Sequence, residues 1–127
     1  MLVGGTAVSD SFGPLDFAGH WQPLHPITKG EETSLTIAGD LSATLERDFV
    51  SGSRIVMTAP PQEISGKETL VIFDFKNEND CSTAAKLVLG GWSSSGKKHA
   101  FGTLYLYRDG ELFNGLPVSF EGTHEEQ

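Results

Sequence analysis

The stretch from Leu35 to Leu45, LTIAGDLSATL, alternates. Leu35, Ile37, Gly39, Leu41, Ala43 and Leu45 fall on one side of an extended chain, and Thr36, Ala38, Asp40, Ser42 and Thr44 on the other. A period of two sustained over this length suits a half-buried strand and does not suit a helix, whose side chains repeat every ~3.6 residues. Gly39-Asp40 predicts a bend, or a split into two strands. The same grammar recurs in RIVMTA (54–59), stopped by Pro60-Pro61, in TLVIFDF (69–75), apolar on both faces, and in LPVSFEG (116–122). NENDCST (77–83) reads as a loop. AAKLVLGGW (84–92) admits a short helix capped by Ser82 or a strand; Leu87-Val88-Leu89 running into a Gly-Gly bend favours the strand.

The segment HAFGTLYLYRDGELFNG carries the clearest turn. Asp109-Gly110 between two apolar runs predicts a two-residue hairpin. That loop pairs Arg108 with Glu111, Tyr107 with Leu112, Leu106 with Phe113 and Tyr105 with Asn114. One face then holds Leu104, Leu106 and Phe113. The other holds His99, Phe101, Thr103, Tyr105, Tyr107 and Leu112. With both faces substantially apolar, the strand suits a barrel whose inner face fills the lumen and whose outer face meets another sheet or subunit. The sequence does not say which face is inside.

A chain of 127 residues with 15 glycines and no long amphipathic run fits one all-β domain of seven to nine short strands. A single small antiparallel β-barrel is the expected fold, with a two-sheet β-sandwich as the alternative. The expected layout is a loose arm over 1–14, the barrel over 15–122, and a frayed tail over 123–127.

LDFAGHWQPL (15–24) places Phe17-x-Gly19-x-Trp21 at the expected first strand. This resembles the Gly-x-Trp signature of lipocalins and the wider group of calycin-type barrels. The resemblance implies a structural role for Gly19, which permits a close turn, and for Trp21, which plugs one barrel end. It also offers Arg108 as the cation that stacks on that tryptophan.

Net charge is −8, so the chain has no basic footprint for nucleic acid or for an anionic membrane surface. Cys81 stands alone, which rules out an internal disulfide. The start, MLVGGTAVSDSFG, lacks the basic and apolar regions of a signal peptide, and with the single cysteine this favours a cytoplasmic location. No apolar run approaches a membrane-spanning helix. Gly91-x4-Gly96-Lys97 has phosphate-loop spacing. Lys98, however, stands where a magnesium-binding Ser or Thr belongs, and HAFGTLYLY alternates as a strand where a helix is required. SSSGKK is therefore expected to be a solvated hairpin loop. His20, His25, His99 and His124 match no compact metal motif, so no metal and no cofactor are expected.

What remains is a set of aromatic and polar candidates. Trp92, Phe101, Tyr105 and Tyr107 could contact an apolar or aromatic small molecule. Asp74, interrupting an apolar run, with His99 and Tyr105, could supply acid–base groups to a cofactor-free isomerase, cyclase or dehydratase. The leading expectation is a small-molecule-binding barrel, with that enzyme and a carbohydrate-binding module as alternatives. A buried carboxylate or histidine facing the lumen beside a tyrosine would mark the enzyme; aromatics on the outside, with no internal cavity, would mark a surface-binding module. Assembly into a homo-oligomer through the tyrosine face stays open.

Overall fold

The computed structural model describes residues 12–61, 70–77, 79–94 and 96–123. Their order is a 3-10 turn (Pro14–Phe17) followed by β1 (Gly19–Pro23), β2 (Glu31–Ile37), β3 (Ala43–Phe49), β4 (Arg54–Ala59), β5 (Leu70–Asn77), β6 (Thr83–Ser94), β7 (Lys97–Arg108) and β8 (Glu111–Thr123). Each strand pairs with the next, antiparallel, and β8 returns to β1. The result is a closed eight-strand up-and-down barrel, and closure removes the sandwich alternative. His124 and the rest of the C-terminal tail lie outside the described residues.

The alternating stretch does split at Gly39-Asp40. Ala38–Ser42 turns the chain, with Leu41 at φ 65°, and the Leu41 backbone N–H donates to the Ala38 carbonyl. The left-handed Leu41 keeps its side chain inward, so Leu35, Ile37, Leu41, Ala43 and Leu45 all remain buried across the turn. Residues 83–94 form a strand, not a helix.

The Asp109-Gly110 turn forms as expected. Both residues have positive φ, 52° and 80°, as a type I′ turn needs. Arg108 opposes Glu111 and Tyr107 opposes Leu112, but Leu106 then opposes Asn114 and Tyr105 opposes Gly115. A β-bulge at Phe113 therefore overturns the expected Leu106–Phe113 and Tyr105–Asn114 pairs. The extra residue leaves Phe113 exposed, against the Arg108 guanidinium, instead of inside with Leu104 and Leu106.

The core is the barrel interior. Trp21, Leu35, Ile37, Leu45, Phe73, Phe75, Leu87, Leu89, Leu104 and Phe120 are each at most 2% exposed. At such values neither bulk water nor a hollow wide enough for water touches these side chains. The lumen of an eight-strand barrel is narrow enough for side chains to fill, and here the phenylalanines do so.

Candidate functional site

The barrel end where β1 begins is plugged. Phe12 and Phe17 meet edge to face, with ring centroids 4.9 Å apart. The Trp21 indole N–H donates to the Phe17 carbonyl at 2.7 Å. Gly122, the cross-strand partner of Trp21, leaves room for that ring: a Cβ there would sit 3.1 Å from it. Lys98 is 2% exposed. Its ammonium donates to the Ala18 carbonyl at 2.7 Å and lies 5.2 Å from the centre of the Trp21 ring. Two expectations are corrected here. The cation on Trp21 is Lys98, because Arg108 sits at the far end of the same strand, over Phe113 at 5.0 Å. And SSSGKK is not wholly solvated, because Lys98 is an inward residue of β7. The opposed Ser93 is also buried, and among the described residues its hydroxyl has no hydrogen-bond partner.

The opposite end carries a buried ion pair. Glu31 and Arg47 point inward from neighbouring strands. The Glu31 carboxylate accepts from Arg47 Nε at 2.6 Å and Nη2 at 2.8 Å, from Thr28 Oγ1 at 2.6 Å and from Thr33 Oγ1 at 2.5 Å. Burial alone would raise the Glu31 pKa. The hydrogen bonds from Arg47, Thr28 and Thr33, with the Arg47 charge, outweigh it and hold the pKa at about 2. Each carboxylate oxygen accepts two hydrogen bonds, so the device is structural in form.

The residues expected to bind or react all sit on the outer wall. On β7 the inward positions include Lys98, Ala100, Leu104 and Leu106, which puts His99, Phe101, Tyr105 and Tyr107 outside. Trp92 and His99 are direct cross-strand partners and stack with centroids 4.9 Å apart; Phe101 meets Trp92 edge-on at 5.4 Å. Trp92 is 45% exposed and Phe101 54%. Asp74 is exposed on the outside of β5, 3.9 Å from Lys86. The burial that an acid–base role for Asp74 required is absent, and neither Asp74, His99 nor Tyr105 faces the lumen. His20 also points outward and pairs with Thr36 Oγ1 at 3.1 Å. Among the described residues no cluster of three His, Cys, Asp or Glu gathers as a metal site.

The register extends the aromatic cluster sideways. Leu70 opposes Gly90, which opposes Phe101; Ile72 opposes Val88, which opposes Thr103, which opposes Pro117. Leu70 is 53% exposed and Ile72 44%. The outward residues of β2 and β3 are by contrast polar: Glu32, Ser34 and Thr36, then Thr44, Glu46 and Asp48. Two open grooves lie on the surface, one against β2 and β3 and one between β1 and β8. One of about 460 Å³ is bordered by Gln22, Glu32 and Asp48, and one of about 290 Å³ by His20, Leu24 and Glu121. Polar and open, neither resembles an apolar ligand pocket.

Leu70 and Ile72 were absent from the sequence-based site because TLVIFDF, apolar on both faces, gave no outward side. Glu31 and Arg47 were legible. Extending the period of two one step beyond Leu35–Leu45 at each end reaches Thr33 and Arg47, and one more reaches Glu31. Lys98 was not, because it shares the phase of Ala100 and the sequence leaves open which face of that strand points inward.

Comparison with protein-family models, with curated proteins and with solved structures gives no match. The geometry of the outer wall therefore carries the functional reading.

Proposed function

We propose that this barrel is a non-catalytic binding protein that engages its partner through the outer wall of β5–β8. The carrying observation is the exposed Trp92–His99–Phe101 cluster, continued by Leu70 and Ile72, on a barrel whose lumen is filled. Scattered exposed apolar residues are ordinary, but adjacent rows of them on one sheet face are characteristic of an interaction surface. The aliphatic neighbours favour an apolar partner surface over a hydrophilic one. A carbohydrate ligand is the second reading, supported by the Trp92–His99 stack with Thr103 and Ser119 as nearby polar groups. The Gly19–Trp21 plug with Lys98 over the indole supports kinship with calycin-type barrels, in which this end is structural.

A neutral apolar dye tests the location of the site. N-phenyl-1-naphthylamine should fluoresce on the native protein, and the Trp92→Ser/Phe101→Ser variant should lose that signal while keeping its β-sheet circular dichroism. Undiminished dye binding in the folded variant would place the apolar site elsewhere and overturn the outer-wall assignment.

A further inference from the structure

Beyond the outer wall, we infer a second ligand site at the plugged end of the barrel. It is a slot that the Phe12 ring fills in the free protein and that a single-ring aromatic carboxylate takes in its place. The argument begins with the size of the wall residues. At this end the inward positions of β6 and β7 include Gly91, Ser93 and Ala100, with Gly91 opposite Ala100, and on β8 Gly122 follows. A wall of such small residues leaves a hollow that something else must fill. Phe12 fills part of it. The tip of its ring lies 2.5 Å from where a Gly91 Cβ would stand, so the slot depends on glycine. Yet Phe12 belongs to no strand. It precedes the 3-10 turn at Pro14–Phe17, and its ring packs edge to face on Phe17. A ring held in this way swings out without breaking a strand ladder.

The groups beside the ring are polar. Ser93, the next inward residue of β6 toward the rim, is 2% exposed, and among the described residues its hydroxyl has no partner. A buried donor left unmatched costs stability, and an acceptor that arrives with a ligand explains why it is kept. Lys98, the cross-strand partner of Ser93, brings a buried positive charge to the same end. Its ammonium lies against the Ala18 carbonyl and the Trp21 ring, both neutral groups. An anionic acceptor suits the hydroxyl and the charge together. Two residues along a strand rise about 7 Å. A ring with a directly attached carboxylate has that length, so its ring lies over Gly91 while its carboxylate meets the Ser93 hydroxyl. Apolar hollows in protein cores accept a benzene ring, and the polar group fixes its orientation. With Phe12 in place the slot is closed, so purified protein is expected without cargo.

Fluorine NMR of 4-fluorobenzoate tests the site on wild type, Phe12→Ala, Ser93→Ala and the outer-wall variant Trp92→Ser/Phe101→Ser. Circular dichroism confirms that each is folded. Wild type should bind saturably. Phe12→Ala removes the internal competitor and should tighten binding by about tenfold or more. Ser93→Ala should weaken binding by about tenfold while leaving the thermal midpoint of the free protein unchanged or higher, because the hydroxyl it removes was unmatched. Wild type without saturable binding overturns the proposal. Binding confined to Phe12→Ala marks an engineered cavity and overturns it too. An affinity that Ser93→Ala leaves unchanged does the same. Loss of the signal in the folded outer-wall variant places the carboxylate on that wall instead and overturns the second site. Should Phe12→Ala fail to fold, the comparison of wild type with Ser93→Ala still decides.

Discussion

Glu31 and Arg47 show how two residues can serve the fold while looking like a site. A pair of opposite charges taken wholly out of water is costly unless every hydrogen-bonding position is filled. Here Arg47 supplies two donors and the threonines two more. The Glu31 pKa is about 2 in the fold, below its ordinary 4.5. A carboxyl with a depressed folded pKa contributes stability above its unfolded pKa and loses it as pH falls toward the folded one. Asp40 and Asp80 shift the same way, through hydrogen bonds from Ser42 and Ser82 at exposed turns. Urea unfolding should therefore show stability falling between pH 5 and 2, by on the order of 3 kcal/mol from Glu31. Arg47→Met should cost about 3–5 kcal/mol at neutral pH by stranding the buried carboxylate. The double variant Glu31→Leu/Arg47→Met should recover most of that loss and flatten the acid limb. An acid limb unchanged in the double variant would remove Glu31 as its source.

At the level of elements, two inward glycines separate a soft contact from a hard one. A Cβ on Gly91 of β6 would meet the Phe12 ring at 2.5 Å, whereas a Cβ on Gly102 of β7 would meet the Val88 carbonyl oxygen at 1.7 Å. A ring can swing aside, at the expense of the plug. A strand backbone held by ladders on both sides cannot. Gly102→Ala should therefore destabilise by at least about 3 kcal/mol, and Gly91→Ala by about 1–3 kcal/mol, in thermal or urea unfolding. A smaller loss for Gly102→Ala than for Gly91→Ala would mean that the β6–β7 ladder gives way more easily than its register implies. These ladders also explain what was legible in the sequence. Alternation in 35–45 and the Asp109-Gly110 turn act locally, so strands and hairpin were readable from neighbours alone. The bulge at Phe113 was not. It depends on how β8 must bend to reach β1 after running along β7, a closure condition no local pattern carries. Which face of 99–107 points inward was hidden for a related reason. Both faces are apolar, and only the filled lumen, assembled from all eight strands, decides that Ala100 and Leu104 go in and Phe101 and Tyr105 stay out.

On the scale of the whole molecule, the barrel is two-sided. Its β2–β3 wall is acidic and polar, and its β5–β8 wall is apolar and bordered by neutral pairs. The lumen, which a barrel fold brings to mind first as a ligand site, is occupied by the protein's own phenylalanines, leucines and Trp21. Recognition is thereby moved outward. Native mass spectrometry, compared with the denatured mass, tests this most directly. Wild-type protein should show only whole multiples of the chain mass, with nothing released on denaturation. An added mass that disappears on denaturing, and that the folded Trp92→Ser/Phe101→Ser variant retains, would reveal a small molecule held inside the barrel and contradict a filled lumen.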